Sequence, residues 1–264
     1  MEVEEDAAAA VAAINHCQMK DNFSIQSDRY AKYRPTYPDT LYDYLLSIVP
    51  ARENAWDCGT GNGQIAQVLA ESFKNVFATD ISQQQIDNAV LHENIAYSVQ
   101  PAEKTSFPDN FFDLITVAQA IHWFDFDAFY REVTRTGRNG GVLAVIGYGL
   151  IQINSSIDRI IAAFYRDVVG PYWDKERRYV DENYRTIPFP FQEINTPAFD
   201  NDFEWSFDHL IGYIGTWSAV KHYEKKNGSN PVDLIRDELK KSWGDTATLK
   251  GKFPILLRVA RIEK

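Results

Sequence analysis

The sequence predicts a doubly wound α/β fold: a mostly parallel sheet with helices on both faces, carrying a helical and aromatic lid. Three observations predict it. From Trp56 to Gly147 short apolar runs alternate with stretches of helical spacing. The first of these runs passes into an acid and three glycines on alternate positions, Asp57-Cys58-Gly59-Thr60-Gly61-Asn62-Gly63. Polar or small residues suited to ligand contact then recur just past the predicted strand ends, at Gly59, Asp80, Ala102 and Gln119. Alternation of this kind calls for parallel strands joined by right-handed crossovers, and ligands in such sheets bind beyond the carboxyl ends of the strands.

Taken in order, residues 1–19 are expected to form an extension outside the fold, and residues 20–264 a single domain. The acidic Met1-Glu2-Val3-Glu4-Glu5-Asp6 is the opposite of a basic signal peptide. No apolar run reaches the ~20 residues that span a bilayer, so no membrane partner and a cytoplasmic setting are expected. Pro35 and Pro38 keep the chain extended ahead of a helical stretch over 41–49. Candidate strands are 54–58, 75–79, 95–99, 112–118 and 141–148, with candidate helices at 63–73, 82–91 and 125–136. Beyond Gly149 the chain to about Asp202 is rich in aromatics and prolines and is read as helices and loops. An amphipathic helix is expected from Phe207 to Val220, another from Pro231 to Trp243, and a last strand over 253–262. Residues 149–243 are the expected substrate lid.

Charge and composition narrow the function. Lys and Arg number 27 against 37 Asp and Glu, a net charge of −10. Such a chain is repelled by phosphate backbones, so nucleic acid is an unfavoured partner and a small-molecule substrate is expected. Two cysteines, Cys17 and Cys58, make no disulfide framework and suit a reducing compartment. His16, His92, His209 and His222 lack the spacing of a metal site.

The glycine turn carries the chemistry. Without Cβ atoms, Gly59 and Gly61 allow unusual backbone angles and let a ligand approach the N–H groups. A dinucleotide turn asks for G-x-G-x-x-G, but the third glycine place holds Gln64 and Gly63 comes one position early. Asp80 follows 17 residues past Gly63, at the end of the second apolar run, where an acid grips a ribose diol in nucleotide-type folds. Together they read as a site for a nucleoside cofactor without a pyrophosphate. Turn and carboxylate are expected to hold opposite ends of one adenosyl group.

At these residues the sequence resembles the class I S-adenosylmethionine-dependent methyltransferases. The resemblance runs through Asp57 to Gly63, Thr79-Asp80-Ile81-Ser82, Gln100-Pro101-Ala102-Glu103 and Asp113 to Ala120, in the family's motif order. Within the family the chain is most similar to the small-molecule branch that includes trans-aconitate methyltransferase. The resemblance implies a Rossmann-like, seven-stranded sheet with an antiparallel last strand, and S-adenosylmethionine as cofactor. It implies methyl transfer to a small acceptor, with a carboxylate as the leading class.

The site residues follow from turn and resemblance together. Tyr30, Tyr33 and Arg34 would fold over the cofactor, Arg34 meeting a carboxylate bidentately. Asp57, Gly59, Thr60 and Gly61 would bind the cofactor, with Asp57 either near its ammonium or sulfonium or bracing the loop. Asp80 would hold the ribose and Ile81 pack on adenine, while Ala102 and Glu103 border the adenine edge. Ala118, Gln119 and Ala120 would lie along the methionine part. His122, the candidate catalytic residue, either accepts a substrate proton or stacks on Trp123 as pocket wall. The alternatives from other classes are a nicotinamide-dependent oxidoreductase and a non-catalytic module that binds an adenosyl ligand.

Overall fold

In the computed structural model, which describes residues 32–264, the alternation between Trp56 and Gly147 becomes five parallel strands. The extension expected over 1–19, and Tyr30, lie outside the described residues. The strands are β1 (Asn54–Cys58), β2 (Asn75–Asp80), β3 (Ile95–Val99), β4 (Phe112–Ala118) and β5 (Gly137–Tyr148). They pair in the order β3-β2-β1-β4-β5. The order reverses at β1, so β1 and β4 diverge to opposite sides of a crevice at their carboxyl ends.

Three more strands complete the sheet: β6 (Gln192–Ile194), β7 (Asp200–Ser206) and β8 (Thr248–Arg261). β8 runs antiparallel to β5, from Val142↔Arg261 to Tyr148↔Ile255. Its other edge is taken by β6 at Val259–Arg261 and by β7 at Thr248–Pro254. Eight strands therefore fill seven positions, the last shared by two pieces. This corrects the expectation of helices and loops up to Asp202. Alternation at Phe203 and Trp205 is too brief, after a proline-rich run, to announce a strand before its partner β8 is known.

Nine helices of the described residues pack on this sheet: α1 (Asp39–Ile48), α2 (Gln64–Ala70), α3 (Gln83–Asp87), α4 (Phe126–Thr136), α5 (Ser155–Ala163), α6 (Arg177–Asp181), α7 (Phe207–Ile214), α8 (Ser218–Asn227) and α9 (Asp233–Trp243). Side chains alternate across each strand, and two cores result. On one face Ala55, Val76, Leu114 and Ile146 meet Leu41 and Leu45 of α1, Leu69 of α2 and Leu239 of α9. On the other, Trp56, Ile115 and Val145 meet Phe129 and Val133 of α4 and Val180 of α6. Ser82, Asp125 and Asn154 cap α3, α4 and α5 by accepting the N–H of Gln85, Ala128 and Ile157. The single helix expected over 207–220 is two, because the chain turns at Gly215-Thr216-Trp217 between α7 and α8. Among the described residues no helix is long and apolar enough to cross a membrane.

One buried acid ties the start of the sheet together. Asp113 Oδ2 accepts the N–H of Glu53 at 2.9 Å and of Asn54 at 3.1 Å, while Oδ1 accepts from Arg138 at 2.6 Å. Asp113→Ala strands two N–H groups at the mouth of β1 and should cost about 2–4 kcal/mol. Thermal unfolding should register this as a Tm lower by roughly 5–15 °C, with Arg138→Met showing a smaller loss.

Candidate active site

Parallel pairing places the sequence motifs side by side. Cys58 pairs with Thr79 and with Val117, so the residues that follow β1, β2 and β4 emerge together at one edge of the sheet. There a cleft of about 480 Å³, open mouth included, is lined by Arg34, Pro35, Tyr37, Asp57, Gly59, Thr60, Gly61, Asn62, Gln64, Ile65, Ala118, Gln119 and Tyr148.

The three glycines do different work. Each has positive φ, +68° at Gly59, +57° at Gly61 and +88° at Gly63, a region closed to most side chains. A Cβ at Gly59 would lie 2.6 Å from the Ala120 Cβ, so this glycine lets the ends of β1 and β4 close up. A Cβ at Gly63 would lie 2.3 Å from the Tyr97 hydroxyl. At Gly61 only Gln85 Oε1 comes within reach, at 3.9 Å, so that backbone faces open space on the cleft side.

Two carboxylates hold the turn. Asp57 is buried beneath it, accepting the hydroxyls of Thr60 and, at 2.8 Å, of Thr116. Burial pushes its carboxyl up to about 6, with those hydrogen bonds pulling partly back and the charge of Asp80 adding to the rise. Asp80 accepts the Gly61 N–H on Oδ2 at 2.8 Å and the Ser82 N–H on Oδ1 at 2.9 Å. Burial raises its carboxyl, and these N–H bonds oppose the rise. Turn and acid are therefore not at opposite ends of a ligand, as the sequence reading held. They touch, because β1 and β2 are neighbouring strands.

The remaining expected residues divide. Arg34 reaches the cleft, donating to Tyr148 Oη at 2.8 Å and to the Thr216 carbonyl at 3.4 Å. Gln119 lines it with φ +53°, a strained conformation at the end of β4. Ile81 follows Asp80, is 39% exposed and does not line the cleft. Tyr33 lies elsewhere, its ring on Gly212 of α7 and edge-on to His209 at 5.3 Å. Ala102 is buried in the second core, and Glu103 accepts the Asp125 N–H at 3.1 Å at the entrance of α4. Ala120 packs on Gly59.

His122 is buried in a 3₁₀ turn, 5.0 Å from the Trp123 ring and stacked on Tyr184 at 6.3 Å. Burial and the charge of Arg177 push its imidazole down to about 3. Its ring is packed against Trp123 and Tyr184, the stacked arrangement that the sequence offers as the alternative to a base. The sequence reading missed Tyr148, which ends β5 as Asp80 ends β2. It also passed over Tyr37, whose ring lies 6.2 Å from that of Tyr148. Among the described residues no cluster of His, Cys, Asp and Glu could hold a metal ion.

Comparison with known proteins agrees with this geometry. A family model described as a methyltransferase domain matches residues 56–145, from β1 into β5. A Dictyostelium discoideum protein provisionally named a methyltransferase is 34% identical over 251 residues, covering 92% of this chain and 95% of its own. The chain belongs to the class I S-adenosylmethionine-dependent methyltransferases. A solved structure from Anaeromyxobacter dehalogenans, provisionally described as a type II methyltransferase, is 39% identical with a TM-score of 0.82. It covers 88% of this chain and 99% of that one. A Saccharomyces cerevisiae protein provisionally named an S-adenosylmethionine-dependent methyltransferase is 22% identical over 259 residues, 83% of this chain and 88% of its own. Membership in this methyltransferase family replaces the oxidoreductase and non-catalytic readings.

The residues present fit the family's methyl donor. Gly61 offers an open backbone, Asp57 an acid facing the cleft, and Asp80 keeps acceptor capacity because a carboxylate has about four acceptor sites. Gly63→Ala should therefore lose roughly 2–4 kcal/mol in urea unfolding, from overpacking against Tyr97 and left-handed strain. Gly61→Ala should cost about 1–2 kcal/mol of strain while removing most donor affinity, since its Cβ enters the cleft.

Proposed function

We propose that this methyltransferase moves the methyl group of S-adenosylmethionine to a small-molecule acceptor bearing a carboxylate, in the branch that resembles trans-aconitate methyltransferase. The observation that carries the reading is the aromatic cluster packed behind a cleft-lining arginine. Arg34 lines the cleft and faces the Tyr213 ring at 5.9 Å. Tyr213 meets Trp217, which meets Tyr165 and Trp173. These rings, drawn from residues 165–217, form an aromatic cluster behind Arg34, apolar surroundings suited to a small acceptor. The net charge of −10 further disfavours a nucleic-acid acceptor.

Bound in the cleft, S-adenosylmethionine would supply an activated methyl on a positively charged sulfur. The chain's own part is then to bind, align and exclude water, the source of most rate in such reactions. Asp80 and the Gly61 backbone hold the adenosyl half, with Ile81 beside it as an apolar face. Asp57 faces the cationic half through its carboxylate. Gln119 and Ala118 form the strand-end wall along which the methionine part lies. Residues 149–243 act as the lid that closes the acceptor in, in a single domain with the sheet.

Calorimetric titration tests this with S-adenosylmethionine, S-adenosylhomocysteine and NADH in parallel; the two adenosyl ligands should bind and NADH should not. Asp80→Ala should weaken both by roughly 10–100-fold, the loss expected for about 1.5–3 kcal/mol of hydrogen bonds to a charged group. Unchanged affinity would remove the ribose assignment. A cationic ligand needs Asp57 ionised, and its folded-state value is raised to about 6. Donor affinity should therefore be level above pH 6 and fall toward tenfold per unit below it. Asp57→Asn should flatten that profile.

A further inference from the structure

One buried cation stands beyond the cleft and has no part in the donor site. Arg177 opens α6, its side chain only 22% exposed. Its Nε donates to Tyr165 Oη at 2.8 Å and lies 3.5 Å from Asp181. The guanidinium sits over the Trp173 ring at 4.7 Å and the Tyr165 ring at 5.4 Å. Nε is thus engaged, while the N–H groups of the two Nη atoms meet no hydrogen-bond acceptor among the described residues. A planar fork, held in place by stacking and one bond, is shaped to take an oxyanion with two parallel hydrogen bonds. Arg34 differs, because its Nη1 already meets Tyr148 and its Nη2 the Thr216 carbonyl.

The surroundings place this fork on the acceptor side. The charge of Arg177 reaches both His122, just past β4, and Tyr213 of α7. Tyr213 faces Arg34, which lines the cleft. His122 Nδ1 is buried with no hydrogen-bond partner among the described residues, a polar atom whose desolvation is uncompensated. Two backbone irregularities converge here. Tyr165 lies in a single π-turn, Phe164–Val168, a form that recurs at functional sites. Tyr184 is fully buried with φ +60°, unusual for a bulky residue. Its ring fills the space left by Gly147, where a Cβ would lie 2.6 Å away, and stacks on His122. Strain of this kind persists where the surroundings over-determine a site.

We propose that Arg177 anchors the carboxylate of the methyl acceptor, with His122 Nδ1 facing the same molecule and Tyr165, Trp173 and Tyr213 enclosing its apolar body. One guanidinium between flat rings suits a planar, singly charged group better than a polyanion. The inference rests on the reading of the cleft as the methyl-donor site, and the test separates the two. Protein saturated with S-adenosylhomocysteine is titrated with cinnamate, phenylacetate and fumarate, with the matched amides, and with phenylphosphonate. At least one carboxylate should bind, and its amide at least tenfold more weakly. Arg177→Gln keeps a planar head for Trp173 and Tyr165; it should lose at least tenfold in carboxylate affinity with the amide and S-adenosylhomocysteine affinities unchanged. Arg177→Lys should recover part of the loss. Full carboxylate affinity in R177Q overturns the proposal. So does a wild-type protein that binds no carboxylate, does not distinguish acid from amide, or prefers the phosphonate. If R177Q and R177K both fail to fold, Arg177 is a structural residue and the proposal falls. Failure of S-adenosylhomocysteine to bind the wild-type protein instead refutes the donor-site reading.

Discussion

The site depends on a single hydrogen bond, from the Gly61 N–H to the Asp80 carboxylate at 2.8 Å. It forms because β1 and β2 are parallel neighbours in register, Cys58 opposite Thr79. Strands in a sheet lie about 4.8 Å apart, so a loop leaving one strand can touch the residue that ends the next. Together with the Asp57–Thr60 bond, the Gly61–Asp80 bond holds the glycine turn in its left-handed conformation, and that conformation opens the backbone toward the cleft. Asp80 is in turn held by the Ser82 N–H on its other oxygen, while Ser82 caps α3. Turn, acid and helix are thus one rigid unit. Its partly buried carboxylate is tolerated because main-chain donors replace lost water.

Much of this was legible in the chain. The strand ends at Cys58, Asp80 and Ala118 fell where short apolar runs stop, because buried parallel strands read as unbroken apolar segments. Asp57, Gly59, Gly61, Ala118 and Gln119 converge on the cleft because residues past strand ends must do so in this topology. What escaped notice depends on contacts distant in sequence. β7 exists as a strand only against β8, some 50 residues later. Tyr33 carries no signal that Gly212 would receive its ring, nor Glu103 that it would serve the entrance to α4. Arg177, in a run of mixed charge, carries no signal of the rings and hydroxyl that the fold assembles around it.

The same distinction explains why Asp80 and Asp57, similar in sequence context, differ in environment. Asp80 meets main-chain N–H groups, which are fixed dipoles belonging to the turn itself. Asp57 meets two hydroxyls, Thr60 on the turn and Thr116 on β4, and hydroxyls rotate to follow what they bind. Asp80 is therefore a structural keystone with acceptor capacity to spare. Asp57 is the more responsive group, poised near neutrality because burial outweighs its partners.

In the proposed reading, charges in and around the cleft give the site a polarity. Two carboxylates, Asp57 and Asp80, lie under the glycine turn, and the repulsion between them contributes to the raised value of the former. Two guanidiniums, Arg34 and Arg177, lie toward the aromatic cluster, with Tyr213 between them. In the proposed reading a cationic donor enters at the acidic end and an anionic acceptor at the basic end, each attracted by the charge that repels the other. In a cavity of low effective dielectric such fields act over several ångströms with little screening. Two small ligands can then be sorted into the correct halves of one chamber before any close contact is made.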